Sequence, residues 1–223
     1  MTRYVWPEPP GPVAFPVAPP GYLLLGAAAF VTLILALVGW GVPAVLALAA
    51  TVGIALFFRD PDRPVPEVDG AVVSPADGRV VAAREREDHP YGDGPCVQVS
   101  IFMSVFNVHV NRMPLSGKVR RVDYHPGKFV AANLDKASDA NERNAVVVET
   151  AQGEMLTVVQ IAGLVARRIL CGLQAGDAVE RGRRFGMICF GSRLDVYLPT
   201  ACRPACKVGD KVRAGSSILG YLS

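Results

Sequence analysis

The first quarter of this sequence lacks charge: between Pro9 and Phe58 there is no Asp, Glu, Lys or Arg. So long a gap is unusual in a soluble domain, so a membrane segment is expected, with a buried core hairpin of a soluble protein as the alternative. There is also no basic n-region beyond Arg3, and the apolar stretch begins late and is doubled, which argues against a cleaved signal peptide. The five cysteines (Cys96, Cys171, Cys189, Cys202, Cys206) are odd in number and contain no CxxC. That excludes a disulfide framework and a regular zinc site, so free thiols and no metal are expected. Only three histidines are present, His89, His109 and His125, which leaves few candidates for a general base. A net charge of +3 decides little by itself, and no nucleic-acid partner is expected. Basic clusters (Arg79, Arg84, Arg86; Lys118, Arg120, Arg121; Arg181, Arg183, Arg184) read as solvated surface that would also suit anionic lipid headgroups.

Three segments follow. Residues 1–21 are a proline-rich lead-in. Residues 22–58 form two short apolar runs broken at Gly39-Trp40-Gly41-Val42-Pro43, which predicts a helical hairpin that spans the bilayer or dips into it. Residues 59–223 carry scattered charge and short β-like runs, and are long enough to bury a core of their own. The runs are Ala71–Ser74, Arg79–Ala83, Cys96–Met103, Gly117–Tyr124, Ala145–Thr150, Met155–Ala162, Gly186–Phe190 and Arg193–Leu198. Asn133–Asn144 reads as a loop or short helix.

The sequence GDxVxxG occurs at Gly176–Gly182 and again at Gly209–Gly215, and Gly78-Arg79-Val80 is echoed by Gly117-Lys118-Val119. Such units are turns feeding strands. They suit a mainly β, barrel-sandwich-like domain preceded by the hydrophobic helical hairpin. Lys211 lies inside the turn unit, so the repeat marks architecture and not a carrier's swinging arm.

Gly191-Ser192 lies between two strong strand segments, and alone would be a hairpin turn. Its company is more specific. Phe57–Pro61, Ser74-Pro75-Ala76-Asp77-Gly78, Phe102–Arg112, Asn141-Glu142-Arg143-Asn144, Gln160–Arg168 and Phe190-Gly191-Ser192-Arg193 together resemble the short bacterial type of phosphatidylserine decarboxylase proenzyme, from about residue 55 onward.

The resemblance implies self-cleavage between Gly191 and Ser192, giving chains 1–191 and 192–223 that stay together as a heterodimer. It also implies a covalent pyruvoyl group made from Ser192, which decarboxylates phosphatidylserine to phosphatidylethanolamine through a Schiff base. The hairpin then attaches the enzyme to the cytoplasmic face of the membrane that holds its substrate; whether a higher oligomer forms is left open. His109 is the expected base, because imidazole suits proton transfer in both directions near neutrality. Asp77 matches the acidic residue that orients that histidine, with a turn cap as the alternative. Longer members carry a second histidine where this chain has Arg112, and arginine cannot act as a base. Arg112 and Arg143 are instead expected to contact the substrate's carboxylate or phosphate. Two other readings are an anchored β adaptor without catalysis, which predicts one intact chain, and a pyruvoyl enzyme acting on a soluble amino acid, which would need no anchor.

Overall fold

A computed structural model describes residues 6, 16–127, 141–163, 168–189 and 191–222. The chain divides near residue 62 into two compact units.

The smaller unit holds helices α1 (Tyr22–Leu37) and α2 (Gly41–Phe57). Pro43 falls in the first turn of α2, where a missing N–H costs nothing. Large apolar side chains such as Leu23, Phe30, Leu37, Val42 and Leu46 are exposed along both helices. With the 3-10 turn before it, α1 spans Pro19–Leu37, 19 residues long and apolar enough to cross a membrane by length and composition. At 1.5 Å per residue that is about 28 Å. The two threonine hydroxyls meet between the helices (Thr32 Oγ1 to Thr51 Oγ1, 3.0 Å), and each also donates to a carbonyl one turn back. Polar groups in an otherwise apolar hairpin are thus satisfied within it. Its base is tied by the Ala18 N–H donating to the Phe58 carbonyl (2.6 Å) and the Asp60 N–H to that of Pro16 (2.8 Å).

The larger unit is mainly β. Its strands are β1 (Ala71–Val73), β2 (Gly78–Arg86), β3 (Cys96–Met103), β4 (Val110–Arg112), β5 (Gly117–His125), β6 (Arg143–Glu149) and β7 (Met155–Ala162). Then come β8 (Arg168–Cys171), β9 (Ala178–Val179), β10 (Arg184–Cys189), β11 (Ser192–Pro199), β12 (Arg203–Pro204), β13 (Lys211–Val212) and β14 (Ile218–Tyr221). An eight-stranded sheet runs β13-β2-β3-β11-β7-β6-β5-β9, accompanied by the sheets β4-β10-β8 and β1-β14-β12. The expected strands all form. Arg143 and Asn144 differ from expectation: they belong to β6 and not to a loop, because they pair with β7 at Ile161 and Gln160. The remainder of that expected loop, apart from residues 141–142, lies outside the described residues.

The two sequence echoes turn out to be partners. Gly117-Lys118 of β5 pairs with β9 of the first GDxVxxG copy, and Gly78-Arg79 of β2 pairs with β13 of the second, at opposite edges of the large sheet. Corresponding hydrogen bonds match: the Val119 N–H donates to the Asp177 carbonyl at 2.8 Å and the Val80 N–H to that of Asp210 at 2.9 Å. Both strand-leading glycines are required by close approach. A Cβ at Gly78 would come within 2.2 Å of the Phe102 oxygen, and one at Gly117 within 2.3 Å of the Glu149 oxygen.

Side chains alternate across the sheet. One face of β11 sends Leu194, Val196 and Leu198 into the main core with Val97, Val99 and Ile101 of β3 and Leu156 and Val158 of β7. The other face buries Arg193 and Asp195, paired through Nε–Oδ1 and Nη2–Oδ2, both 2.9 Å. Tyr197 lies beside Tyr91 and His89 on that same face. His89 is half-buried there, and that burial holds its imidazole below the usual pKa. Asp195→Ala would take a paired carboxylate away from the buried Arg193 guanidinium, so a loss of up to about 3–5 kcal/mol is expected. It should appear as a lower thermal midpoint than that of the double variant Arg193→Met/Asp195→Leu.

Candidate active site

The chain crosses from the three-stranded sheet into the eight-stranded one between β10 and β11, and the Gly191–Ser192 bond lies at that crossing. Gly191 has φ +62°, the left-handed region that glycine enters without cost. Space is not the constraint, since a Cβ there would meet nothing within 4 Å. Ser192 opens β11, opposite Met103 of β3 and Ala162 of β7, and is fully buried. Its Oγ donates to the Met103 sulfur at 3.3 Å, and the Asn111 amide approaches the same sulfur at 3.9 Å.

Behind Ser192 the inner face turns polar. Gln160 donates to Asn111 Oδ1 (2.9 Å) and to the Leu170 carbonyl (3.2 Å), while Asn144 donates to Gln160 Oε1 (3.1 Å). Buried amides linked in this way fix one another's orientation. They tie the start of β11 to β4, β6, β7 and β8. Their signal in the sequence is a break in pattern: Gln160 and Asn144 occupy inward positions of strands whose other inward residues are apolar.

His109 lies just before β4 and is fully buried. Its carbonyl accepts from the Ile188 N–H of β10 at 3.4 Å, so its backbone runs beside the strand that leads into Gly191. Its Nδ1 is 2.9 Å from the Asn107 carbonyl. A carbonyl oxygen only accepts, so Nδ1 carries the proton and Nε2 the lone pair in the neutral ring. Asn107 is itself held: its Oδ1 takes the N–H and the hydroxyl of Ser104, both at 2.8 Å.

Residues 53–220 match the family described as phosphatidylserine decarboxylase. The chain belongs to the phosphatidylserine decarboxylase family. It is 54% identical to the phosphatidylserine decarboxylase proenzyme of Syntrophus aciditrophicus (strain SB) over 177 residues, covering 79% of this chain and 83% of that one. It is 51% identical to the proenzyme of that name from Ralstonia nicotianae over 209 residues, covering 92% and 95%. With that of Paraburkholderia phymatum the identity is 48% over 207 residues, covering 92% and 97%.

The other residues singled out in this decarboxylase-family chain are spread more widely. Asp77 is buried, with Oδ1 accepting the Ala214 N–H (2.7 Å) and Oδ2 bound to Arg63 (2.9 Å). In the other half of the repeat, Ser116 takes the corresponding Arg181 N–H at 3.0 Å. A neutral hydroxyl therefore suffices for that cap, and the charge at Asp77 is extra. Arg112 is buried, donates to the Gly182 carbonyl (3.0 Å) and lies over Gly215, which binds the two repeat turns together. Arg143 lies on the outer face with Ile161 and Arg193, and lines a cavity of about 610 Å³ with Arg121 and His125. Ser192 faces the opposite side of the sheet, so Arg143 and His125 do not converge on it. Among the described residues no cluster of three or more His, Cys, Asp or Glu is arranged to hold a metal. All five cysteines are free thiols, and burial pushes each of them up, Cys202 to about 11. At neutral pH they are protonated and weakly nucleophilic.

Proposed function

We propose that this chain cuts itself between Gly191 and Ser192, converts Ser192 into a pyruvoyl group, and then decarboxylates phosphatidylserine to phosphatidylethanolamine at the membrane. The observation that carries the reading is the placement of the Ser192 hydroxyl. It is fully buried at a sheet-to-sheet crossing, after a left-handed glycine, at the end of the fold that holds an imidazole with its Nε2 lone pair fixed.

In the first step Ser192 Oγ attacks the Gly191 carbonyl carbon and gives its proton to His109 Nε2. The C–N bond breaks, the nitrogen of residue 192 takes a proton, and an ester joins Gly191 to Oγ. Removal of the Ser192 α-proton expels the Gly191 carboxylate and leaves a dehydroalanine. Water then adds, ammonia leaves, and residue 192 ends as a ketone. The residues present fit such a group: its surroundings are a thioether, Ala162 and linked amides, with no ionised partner described at Oγ. Once formed, such a group would supply an electrophilic carbonyl for the headgroup amine and an electron sink for loss of carbon dioxide.

Self-cleavage need not separate the products. Strand β11 is central, paired with β3 along its whole length from Ser192 to Pro199 and with β7 from Ser192 to Tyr197, so chain 192–223 stays seated on chain 1–191 as a heterodimer. The exposed apolar hairpin supports attachment to the membrane, with the β unit on its cytoplasmic face, and its substrate is drawn from that membrane. A headgroup-binding role for Arg112 and Arg143 rests on residue type alone. A mass spectrum of the purified protein tests the central claim. It should show two chains divided at 191/192, the smaller one blocked to Edman degradation and gaining mass on borohydride reduction. One intact chain would sink the proposal, and a free serine at position 192 would reduce it to simple hydrolysis.

A further inference from the structure

The carbonyl that Ser192 attacks already has a donor. The Gly191 oxygen accepts the Gly163 N–H at 3.1 Å, on the first rung beyond the Ser192–Ala162 pair. That N–H belongs to the planar Ala162–Gly163 peptide, whose own carbonyl accepts the side-chain amide of fully buried Asn141 at 2.7 Å. Ala162 is held on its other side as well, its N–H donating to the Glu142 carbonyl at 2.9 Å.

A ladder bond to a neutral carbonyl stabilises the strand only modestly. It becomes a catalytic contact when negative charge collects on that oxygen, because bonds to an oxyanion are shorter and stronger, and a donor already in place needs no reorganisation. The carbonyl oxygen moves little as its carbon becomes tetrahedral, so a donor at 3.1 Å stays in reach and closes in. Asn141 adds to this. Donation into the oxygen of a peptide polarises the whole amide and strengthens its N–H as a donor.

Resting on the self-cleavage reading, we propose that the Ala162–Gly163 peptide is the oxyanion site of maturation, with the Gly163 N–H as its catalytic donor and Asn141 as its positioning residue. As Ser192 Oγ bonds to the Gly191 carbon and its proton passes to the base, the electron pair of the C=O bond moves onto the Gly191 oxygen, where the Gly163 N–H holds it. When the C–N bond breaks, the pair returns to re-form the carbonyl of the ester and the proton goes to the departing nitrogen. No further reactant is required.

The test removes the Gly163 hydrogen-bond donor, and the ester carbonyl left at Ala162 accepts more weakly from Asn141. In cell-free synthesis of the full chain, a suppressor tRNA charged with glycolic acid replaces Gly163, so its N–H becomes an ester oxygen. Self-cleavage should slow on the order of 100- to 1000-fold, as for loss of one oxyanion donor elsewhere. A matching ester at Val159, on the same strand but opposite Asp195, should cleave within about threefold of wild type if no rung there touches the reacting carbonyl. Asn141→Ala should slow cleavage about tenfold in the ordinary chain and have almost no effect in the glycolate-163 chain, because it acts through the missing N–H. Hydroxylamine should not speed cleavage of Asn141→Ala, since the block precedes the ester.

Wild-type cleavage in the glycolate-163 chain overturns the proposal, as does equal slowing by the Val159 ester. If the glycolate chain fails to fold, Asn141→Ala decides: normal cleavage, or rapid cleavage on adding hydroxylamine, overturns the proposal. Wild type that never cleaves would instead defeat the self-cleavage reading itself.

Discussion

Ser192→Ala is expected to give a single uncut chain with no decarboxylase activity at all. In the proposed route the hydroxyl is the attacking group and then, as the ester, the group whose loss leads to the ketone at the α-carbon of residue 192, so no neighbouring side chain can replace it. Stability should barely change. The Oγ donates only to a thioether in the described structure, a weak acceptor, and alanine fills nearly the same space. The checks are gel mobility, mass, and carbon dioxide released from carboxyl-labelled phosphatidylserine vesicles. Cleavage at 191/192 in this variant would require a different nucleophile. Activity without cleavage would remove the pyruvoyl group from the mechanism. Ser192→Cys is a finer probe: a thiol can attack the Gly191 carbonyl, so partial cleavage is expected through a thioester that hydroxylamine splits.

His109→Ala is expected to slow self-cleavage by about 100- to 10,000-fold, the range for loss of a positioned general base. Any enzyme that does mature should also turn over slowly, if His109 serves both stages. The two effects separate experimentally. The cleaved fraction is read by mass, and turnover is divided by the number of ketone groups trapped with labelled substrate and borohydride. Normal cleavage and normal turnover would remove His109 from the site. His125 is then a poor substitute, because it is exposed on β5 with its neighbours on the far face of the sheet from Ser192. Asp77→Asn should act more mildly and mainly on cleavage. The amide can keep the Ala214 N–H through its oxygen, as Ser116 does for Arg181, while losing the charge that pairs with Arg63. A drop in turnover per ketone as deep as that of His109→Ala would give Asp77 a direct part in decarboxylation.

Much of this architecture is legible in residue order. Cys96–Met103 and Met155–Ala162 are strands with the bounds their β-branched and apolar runs suggest, because backbone alternation is a local property. The charge-free stretch gives two helices of 16 and 17 residues separated at Gly39 and its neighbours, with Gly41 and Pro43 in the first turn of the second helix. Arg143 and Asn144 are less legible, since a polar run suggests a loop. Their polarity belongs to position within a strand, with Arg143 facing a cavity and Asn144 joining the amide chain inside.

What the sequence by itself determined is therefore the order and character of the elements: an apolar hairpin, a mainly β unit with a duplicated turn, and a Gly-Ser pair set among linked family motifs. These follow from composition and short-range period, which survive in a one-dimensional string. Only the tertiary structure decided that the two echoes pair with each other at opposite sheet edges, that Arg112 spans the repeat turns, and that the Gly163 N–H meets the Gly191 carbonyl while Asn141 holds that of Ala162. Those are contacts between residues far apart in the chain. They depend on strand order and register, where a slip of one residue would turn Ser192 to the other face, and no local pattern encodes them.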